Sequence, residues 1–162
     1  MRRSKNSACC GVVLVALLVL ALPAGAAEVT RDSYREAVEP ICKANVEANR
    51  NILKGVRSKV NQGKVKPAGH QFTRAATALK KALRQIKAQP KPPADESRLA
   101  EWQKRISEQE SLLRRIGEAL IADKKHKAQV LSVKLVSGVN LTNAIVLPFE
   151  FKHCHFETSM FT

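Results

Sequence analysis

Aromatic residues and cysteines are scarce in this chain, which has one Trp, one Tyr, five Phe and four Cys among its 162 residues. With so few rings, a hydrophobic core must be built mainly from Leu, Ile, Val and Ala. The short motifs of common enzyme classes are also missing, because there is no G-x-S-x-G nucleophile elbow and no glycine-rich phosphate loop. We therefore predict a protein that is not an enzyme and that uses no cofactor.

The beginning of the chain has the three parts of a secretion signal. Arg2, Arg3 and Lys5 supply a positively charged start, and residues 8–22 form an uncharged, largely apolar stretch. Residues 23–27 then provide the small-x-small pattern that signal peptidase cleaves. This pattern predicts that the protein is secreted or otherwise extracytoplasmic.

Cleavage at this pattern divides the chain into a signal peptide, residues 1–26, and a single domain, residues 27–162. The alternative is an uncleaved membrane anchor, because residues 8–27 carry no charge and are long enough to span a hydrocarbon core of about 30 Å. We favour cleavage because Pro23 and Gly25 interrupt the apolar run before it reaches the usual length of a spanning helix.

Only Cys42 and Cys154 remain once such a signal is removed, since Cys9 and Cys10 precede the cleavage site. An exported chain enters an oxidising compartment, where two remaining thiols are expected to pair. The predicted disulfide joins the start of the mature domain to its end. On the chain-entropy model, closing a loop of about 110 residues contributes on the order of 4–5 kcal/mol to stability.

His153 and His155 flank Cys154 and suggest, at first sight, a metal site. Adjacent residues project in different directions, however, and structural zinc sites usually separate paired ligands by roughly two to four residues. A disulfide-bonded Cys154 also has no thiolate to offer. We therefore predict no metal at this segment.

Helical periodicity runs through the mature chain and predicts an all-α fold: an antiparallel, up-down four-helix bundle with an extended C-terminal tail linked by the disulfide to helix 1. Ser33 and Glu36 have the spacing of a capping box for helix 1, and Pro40 predicts a kink or restart just before it. Turn residues at 61–63 and 67–69 separate helix 1 from helix 2.

Three further helices are predicted. Helix 2 has one apolar face and ends at the proline-rich segment 89–93, helix 3 begins at Asp95 or Ser97, and helix 4 runs from about Ala128 to Pro148. The phenylalanines of the tail are expected to cover the end of the bundle beside the disulfide.

Helix 3 has the most regular apolar pattern in the chain. Its apolar stripe recurs at alternating steps of three and four residues through Leu99, Trp102, Ile106, Gln109, Leu113, Ile116 and Leu120. We interpret this heptad stripe as a seam inside the bundle. An alternative function follows from the same stripe, which could serve a structural or protein-interaction module such as a dimeric coiled coil.

Positive charge is the strongest functional feature. The mature domain has 25 basic and 14 acidic residues, a net charge of +11, and no acidic residue lies between Glu47 and Asp95, where there are twelve basic ones. Like charges one helical turn apart destabilise a helix by a few tenths of a kcal/mol each, which a bound anion could offset. Eight basic residues on two stripes are therefore candidate anion-binding residues: Lys43, Arg50, Lys54 and Arg57 on helix 1, and Lys80, Arg84, Lys87 and Lys91 on helix 2.

The expected partner is an anionic envelope polymer or membrane surface, and the alternative is a basic face that is simply solvated. Specific recognition of nucleic acid is not expected, because no aromatic residue that could stack on bases lies between Thr73 and Glu101.

Several short segments together resemble a group of small exported helical proteins from high-GC Gram-positive bacteria. The shared features are Tyr34, the segment Ile41-Cys42-Lys43-Ala44-Asn45, a proline-rich break before a Leu-x-x-Trp helix, and the late Cys154. The resemblance implies export and the Cys42–Cys154 bridge, and it implies no activity. The sequence thus predicts a non-enzymatic exported or cell-envelope protein that binds anions.

Overall fold

The computed structural model describes residues 28–157, so the predicted signal peptide and its cleavage site lie outside the described residues. Five α-helices make up this part: α1 (Arg31–Leu53), α2 (Val56–Asn61), α3 (Val65–Lys87), α4 (Glu96–Ile121) and α5 (Lys125–Ile145). Two short 3-10 turns, Pro93–Asp95 and Leu147–Phe149, follow α3 and α5. Within residues 28–157 there is no β-strand, and the predicted all-α fold is confirmed.

The four long helices, α1, α3, α4 and α5, correspond to the predicted helices 1 to 4. They form the predicted antiparallel bundle. α3 packs most extensively on α4, α4 on α5, and α1 on α3. The Gln71 side chain, near the start of α3, donates to the carbonyl of Ile52, near the end of α1, so these helices run in opposite directions. Gly69 of α3 likewise lies against Gly117, near the end of α4.

Helix α1 begins earlier than the sequence suggested. Thr30, not Ser33, is the N-cap: its hydroxyl accepts from the Ser33 N–H at 3.2 Å, and the Ser33 hydroxyl accepts from the Thr30 N–H at 3.0 Å. A capping box is therefore present, but Ser33 occupies its third helical position and the assignment of Ser33 as N-cap was wrong.

Of the kink or restart predicted just before Pro40, the restart was wrong, because α1 continues from Arg31 to Leu53 with Pro40 inside it. Proline removes one helical hydrogen bond there. Val38 and Cys42, on either side of it, are buried in the core, and their packing stabilises the same helical path. The helix ends at Leu53, and Gly55, which follows the C-cap residue Lys54, has a φ of 71° in the left-handed region.

The break predicted at 61–63 is confirmed, with α2 ending at Asn61 and Gly63 at a φ of 73°. The break predicted at 67–69 was wrong, since α3 starts at Val65 and includes those residues. Proline is tolerated in a first helical turn because the N–H groups there have no partner within the helix. The predicted apolar face of α3 is confirmed as core: Phe72, Ala75, Leu79, Leu83 and Ile86 are all buried.

The heptad stripe of α4 lies inside the bundle, as predicted. All seven of its residues are buried, from Leu99 at 0% exposure to Leu120 at 5%. Gln109 is among them and lies under Gly138 of α5, where a Cβ would approach the Gln109 amide nitrogen to 2.6 Å. Helix α5 starts at Lys125, three residues before the predicted Ala128, and ends before Pro148.

Gly69 of α3 and Gly117 of α4 let the backbones of these two helices approach each other closely. A Cβ added to Gly69 would lie 2.6 Å from the Gly117 carbonyl oxygen, and one added to Gly117 would lie 2.7 Å from the Gly69 oxygen. Both obstacles are backbone atoms, which cannot rotate away. These two glycines therefore set the spacing between the most extensively packed pair of helices.

Replacing Gly117 by alanine should therefore destabilise the protein by about 1–3 kcal/mol, because the helices must separate. Gly138→Ala is the matched control, since its Cβ meets only the end of a flexible side chain. Urea unfolding followed by circular dichroism measures both free energies. Equal effects of the two substitutions would show that the α3–α4 contact does not limit packing.

The predicted disulfide is present and links α1 to the tail. Cys42 and Cys154 are both buried, and their Cα atoms are 5.0 Å apart across 112 residues of sequence. The tail is held by more than this bond. The Glu39 carboxylate accepts from the N–H groups of Lys152 and His153, and the Asn143 side chain of α5 both donates to and accepts from the Phe156 backbone.

The tail also supplies an aromatic cluster at this end of the bundle, as the sequence predicted. The Phe151 ring stacks between Phe149 and Trp102, with centroid distances of 5.4 and 5.5 Å. Tyr34 packs edge-on against Phe149 at 5.9 Å. Burial raises the pKa of the Tyr34 hydroxyl, and the nearby Gln103 amide opposes this shift. The Tyr34 hydroxyl has no hydrogen bond of normal geometry to Gln103.

Removing the disulfide by the double substitution Cys42→Ala and Cys154→Ala should lower the free energy of unfolding by about 4–5 kcal/mol, because the unfolded chain gains the freedom of a loop of more than a hundred residues. Urea unfolding with and without reductant measures this. Reductant should destabilise the parent protein and leave the double variant unchanged. An unchanged midpoint for fully reduced parent protein, with its thiols counted by mass spectrometry, would contradict the prediction.

Asp95 joins three parts of the fold at the same end. It is the N-cap residue of α4 and 3% exposed, but its carboxylate binds Arg31 rather than capping the helix. Arg31 donates from Nε to Oδ2 at 2.6 Å and from Nη2 to Oδ1 at 2.8 Å, a bidentate pair. The Arg31 guanidinium also lies 5.7 Å from the centre of the Phe149 ring. The pair therefore ties the start of α1 to the start of α4 and to the tail.

These contacts make stability depend on pH. The hydrogen bonds from Arg31 lower the pKa of Asp95 below its ordinary value of 3.8, while burial acts against the shift. A lowered folded-state pKa means that the pair stabilises the protein above this ordinary value and that the stabilisation is lost as the pH falls through the folded-state pKa.

Asp95→Asn should accordingly lower the melting temperature by several degrees at pH 7, and the difference from the parent should shrink towards pH 2. Asp123→Asn is the control, because Asp123 forms only an exposed contact with Lys125 and should matter little. Calorimetry of the three proteins across this range measures the effect. A difference that stayed constant down to pH 2 would exclude the ionised carboxylate as its source.

Candidate anion-binding surface

The eight candidate residues lie on or beside three helices and point to solvent. Seven are exposed and Lys91 is half-exposed. Lys43 and Arg50 lie on α1 and Lys54 at its C-cap, Arg57 on α2, and Lys80, Arg84 and Lys87 on α3, whereas Lys91 follows α3 in the loop. The assignment of Arg57 to helix 1 and of Lys91 to helix 2 was therefore wrong, because α1 ends at Leu53 and α3 ends at Lys87.

None of the twelve basic residues between Glu47 and Asp95 forms an ion pair in the part of the chain that the structure describes. Glu47, the one acid on the α1 stripe, lies within 4.0 Å of none of their nitrogens. Lys59 has a neutral partner, because its Nζ donates to Gln71 at 2.9 Å. This surface thus keeps its positive charge uncompensated by carboxylates.

Helix α4 has the opposite arrangement. Four of its five acidic residues pair with basic residues on the same helix. Arg105 pairs with Glu101 at 2.9 Å and with Glu108 at 3.4 Å, and Arg114 pairs with Glu118 at 2.8 Å. Arg114 also lies 4.0 Å from the Glu110 carboxylate. Every carboxylate of α4 except that of Glu96 therefore has a basic partner on the same helix.

The structure does not merge the two predicted stripes into one surface. The groove where α1 meets α3 is lined by neutral residues and Lys81: Ile41, Ala44, Asn45, Ala48, Ala78, Ala82 and Gln85. Since each helical residue turns the chain by about 100°, Lys43 lies roughly 140° around α1 from Ala48. Lys80 lies about 160° around α3 from Ala82 in the same way. The α1 stripe and the α3 stripe consequently face away from their shared groove, on opposite flanks.

A second concentration of basic residues was not foreseen from the sequence. The up-down topology brings the α1–α3 connection and the α4–α5 connection to one end of the bundle, which we call the basic end. It carries Lys54, Arg57, Lys59, Lys64, Lys66, Lys124, Lys125 and Lys127, with Asp123 as the acid in these two connections. The predicted antiparallel topology, combined with the charge of the two loops, was the signal that could have revealed it.

The contacts of the His153-Cys154-His155 segment attach the C-terminal tail to α1. Cys154 is in the disulfide, and the His153 N–H donates to Glu39 at 3.0 Å. A small cavity of about 30 Å³ lies beside this segment, lined in part by Asn49, Trp102 and His155. Its size suits a water-sized molecule rather than an organic ligand. Among residues 28–157, no three His, Cys, Asp or Glu side chains are grouped as a metal site would require.

No protein-family model, curated protein or solved structure matches this chain. Across residues 28–157, none of the helices combines the length and the apolar character that crossing a membrane would need.

Proposed function

We propose that this is an exported, non-enzymatic protein that binds a polymer bearing closely spaced negative charges. The observation that carries the proposal is the set of twelve basic residues between Glu47 and Asp95 with no acidic residue among them and no ion pair to any carboxylate of the described chain. A surface of this kind raises the local concentration of anions and attracts anionic partners.

The spacing of the charges favours a polymer over a single small anion. On the α3 stripe, Lys80, Arg84 and Lys87 follow one another at about one helical turn, so a basic group recurs roughly every 5 Å along the helix axis. Such a row costs the isolated helix a few tenths of a kcal/mol per like-charged pair. A chain of phosphates or carboxylates laid along the row would offset that cost at every turn.

The disulfide supports the exported location. A buried Cys42–Cys154 bond is typical of proteins that mature in an oxidising compartment. Together with the signal-like first 26 residues, it favours a cell-envelope or extracellular site of action, where anionic polymers and membrane surfaces are both present.

The interaction hypothesis based on the α4 stripe has less to support it. The stripe from Leu99 to Leu120 packs in the interior of the bundle. A partner could reach it only if the bundle opened, which would expose the whole core.

The triple substitution Lys80→Gln, Arg84→Gln and Lys87→Gln should weaken binding of long-chain polyphosphate on the order of a hundredfold, at about 1 kcal/mol per charge removed. The matched control is Lys104→Gln, Arg105→Gln and Arg114→Gln, which removes the same charge from α4, where the basic groups already have acidic partners. Fluorescence anisotropy at increasing salt measures both.

Binding should also fall steeply towards about 0.5 M salt, where screening acts over only a few ångströms. Equal losses in the two triple variants, or binding that survives high salt, would contradict the proposal. A parallel measurement with vesicles of phosphatidylglycerol separates the two possible sources of anionic charge. Binding to vesicles with none to polyphosphate would contradict the polymer and indicate a membrane surface.

A further inference from the structure

The basic end of the bundle contains an open groove of about 510 Å³. Four elements form it: α2, the start of α3, the end of α4 and the start of α5. This volume lies within the range of pockets that hold small organic ligands, roughly 300–1,000 Å³. The groove is separate from the α3 stripe, because neither Lys80, Arg84 nor Lys87 lines it.

The floor of the groove is apolar. It is formed by side chains that belong to the core and whose outer surfaces face the groove: Val56, Val65, Phe72, Ile116, Leu120 and Ala128. Val60, on α2, extends this apolar surface outward and is 37% exposed. An apolar floor of this extent offers little to a purely charged polymer, and it suits a hydrocarbon chain.

The rim of the groove is positive and polar. Arg57 approaches from α2 and Lys125 from α5, while Asn61, Gln129 and Ser132 add uncharged polar groups. No acidic residue lines the groove among the residues that the structure describes. The Lys125 Nζ is 3.7 Å from Asp123, but both side chains are about two-thirds exposed, and an exposed pair of this length restrains the ammonium only weakly.

Helix α2 is the wall that separates the groove from solvent on one side. It is six residues long, and glycines with left-handed φ angles, Gly55 and Gly63, precede and follow it. These two turns pack α2 against α3 instead of continuing α1, and α2 then lines the groove opposite the start of α5. The placement of Arg57 and Val60 over the apolar floor is a direct result.

We propose that this groove binds a single-chain amphiphilic anion, specifically a long-chain carboxylate. The hydrocarbon chain lies on the apolar floor beneath Val60, and the carboxylate binds between Arg57 and Lys125. Charge complementarity selects an anionic head, and the apolar floor selects a tail that a polyanion lacks. The groove shares Arg57 with the basic residues of the proposed polymer-binding surface, but it shares none of Lys80, Arg84 and Lys87, on which the polymer-binding proposal is tested. The two proposals can therefore fail separately.

The test is calorimetric titration of the purified protein with dodecanoate below its micelle concentration. One molecule should bind per chain, and each shortening by two carbons should weaken binding by roughly tenfold, since each buried methylene contributes about 0.8 kcal/mol. The neutral glyceryl ester of the same acid should bind at least tenfold more weakly, because it lacks the charge that Arg57 and Lys125 recognise.

Two pairs of variants locate the site. Val60→Trp should fill the groove and weaken dodecanoate binding at least tenfold, whereas Val133→Trp, at an exposed α5 position outside the groove, should not. Arg57→Gln with Lys125→Gln should weaken it similarly, whereas Lys80→Gln with Arg84→Gln should leave it unchanged. Circular dichroism and thermal unfolding establish that each variant is folded.

The proposal is overturned if Val60→Trp leaves binding intact, if the α3 pair weakens dodecanoate as much as the rim pair, or if many molecules bind per chain as they would to a detergent-coated surface. Loss of polyphosphate binding in the α3 variants with retained dodecanoate binding supports the groove and separates it from the polymer site. If the parent protein binds polyphosphate but not dodecanoate, the groove proposal is overturned and the polymer-binding proposal for the α3 stripe stands.

Discussion

The disulfide between Cys42 and Cys154 is the constraint on which the closed form of this bundle depends. Helix α1 packs chiefly on α3, and α5 packs chiefly on α4, so α1 and α5 lie at the two ends of a row of helices. The tail connects these ends, since Cys154 is bonded to α1 while Asn143 of α5 holds the Phe156 backbone. Without the covalent bond, the aromatic cluster at this end would depend on a short segment attached by a few hydrogen bonds and by ring packing.

The distribution of charge follows from which helices pair their charged side chains and which do not. Helix α4 lies between α3 and α5, carries as many acidic as basic residues and pairs most of its acids with its own arginines, so it adds little net field. Between Glu47 and Asp95, helices α1, α2 and α3 present their basic groups without carboxylate partners, and the connections at the basic end add more. The result is a molecule whose positive potential is concentrated along two flanks and at one end, and both proposed sites draw on that potential.

Some elements could be predicted because local chemistry decides them. The heptad spacing from Leu99 to Leu120 identified a helix and its buried face, and the alternation of apolar and basic residues did the same for α3. Details that depend on partners distant in sequence were missed. Pro67 and Gly69 look like a turn in isolation, yet they lie in α3 because Gly69 admits the Gly117 backbone. Asp95 looks like a helix cap, yet Arg31 engages its carboxylate instead.

The candidate sites likewise have parts that the local sequence indicates and parts that only the tertiary structure shows. The absence of acids between Glu47 and Asp95 indicated the anion-binding residues directly, but only the structure showed that the α1 and α3 stripes lie on opposite flanks of their shared groove. The 510 Å³ groove could not be inferred at all, because it is built from four segments that are brought together only when α2 folds back between Gly55 and Gly63.

By itself, then, the sequence determined the helical class, the buried faces, the pairing of the two cysteines and the excess of positive charge. These properties depend on spacing and composition within single segments. The tertiary structure decided where the charges lie relative to one another, which glycines space the helices and where an apolar surface stays open beneath a basic rim. These depend on contacts between segments far apart in the chain, and no local pattern encodes such distances.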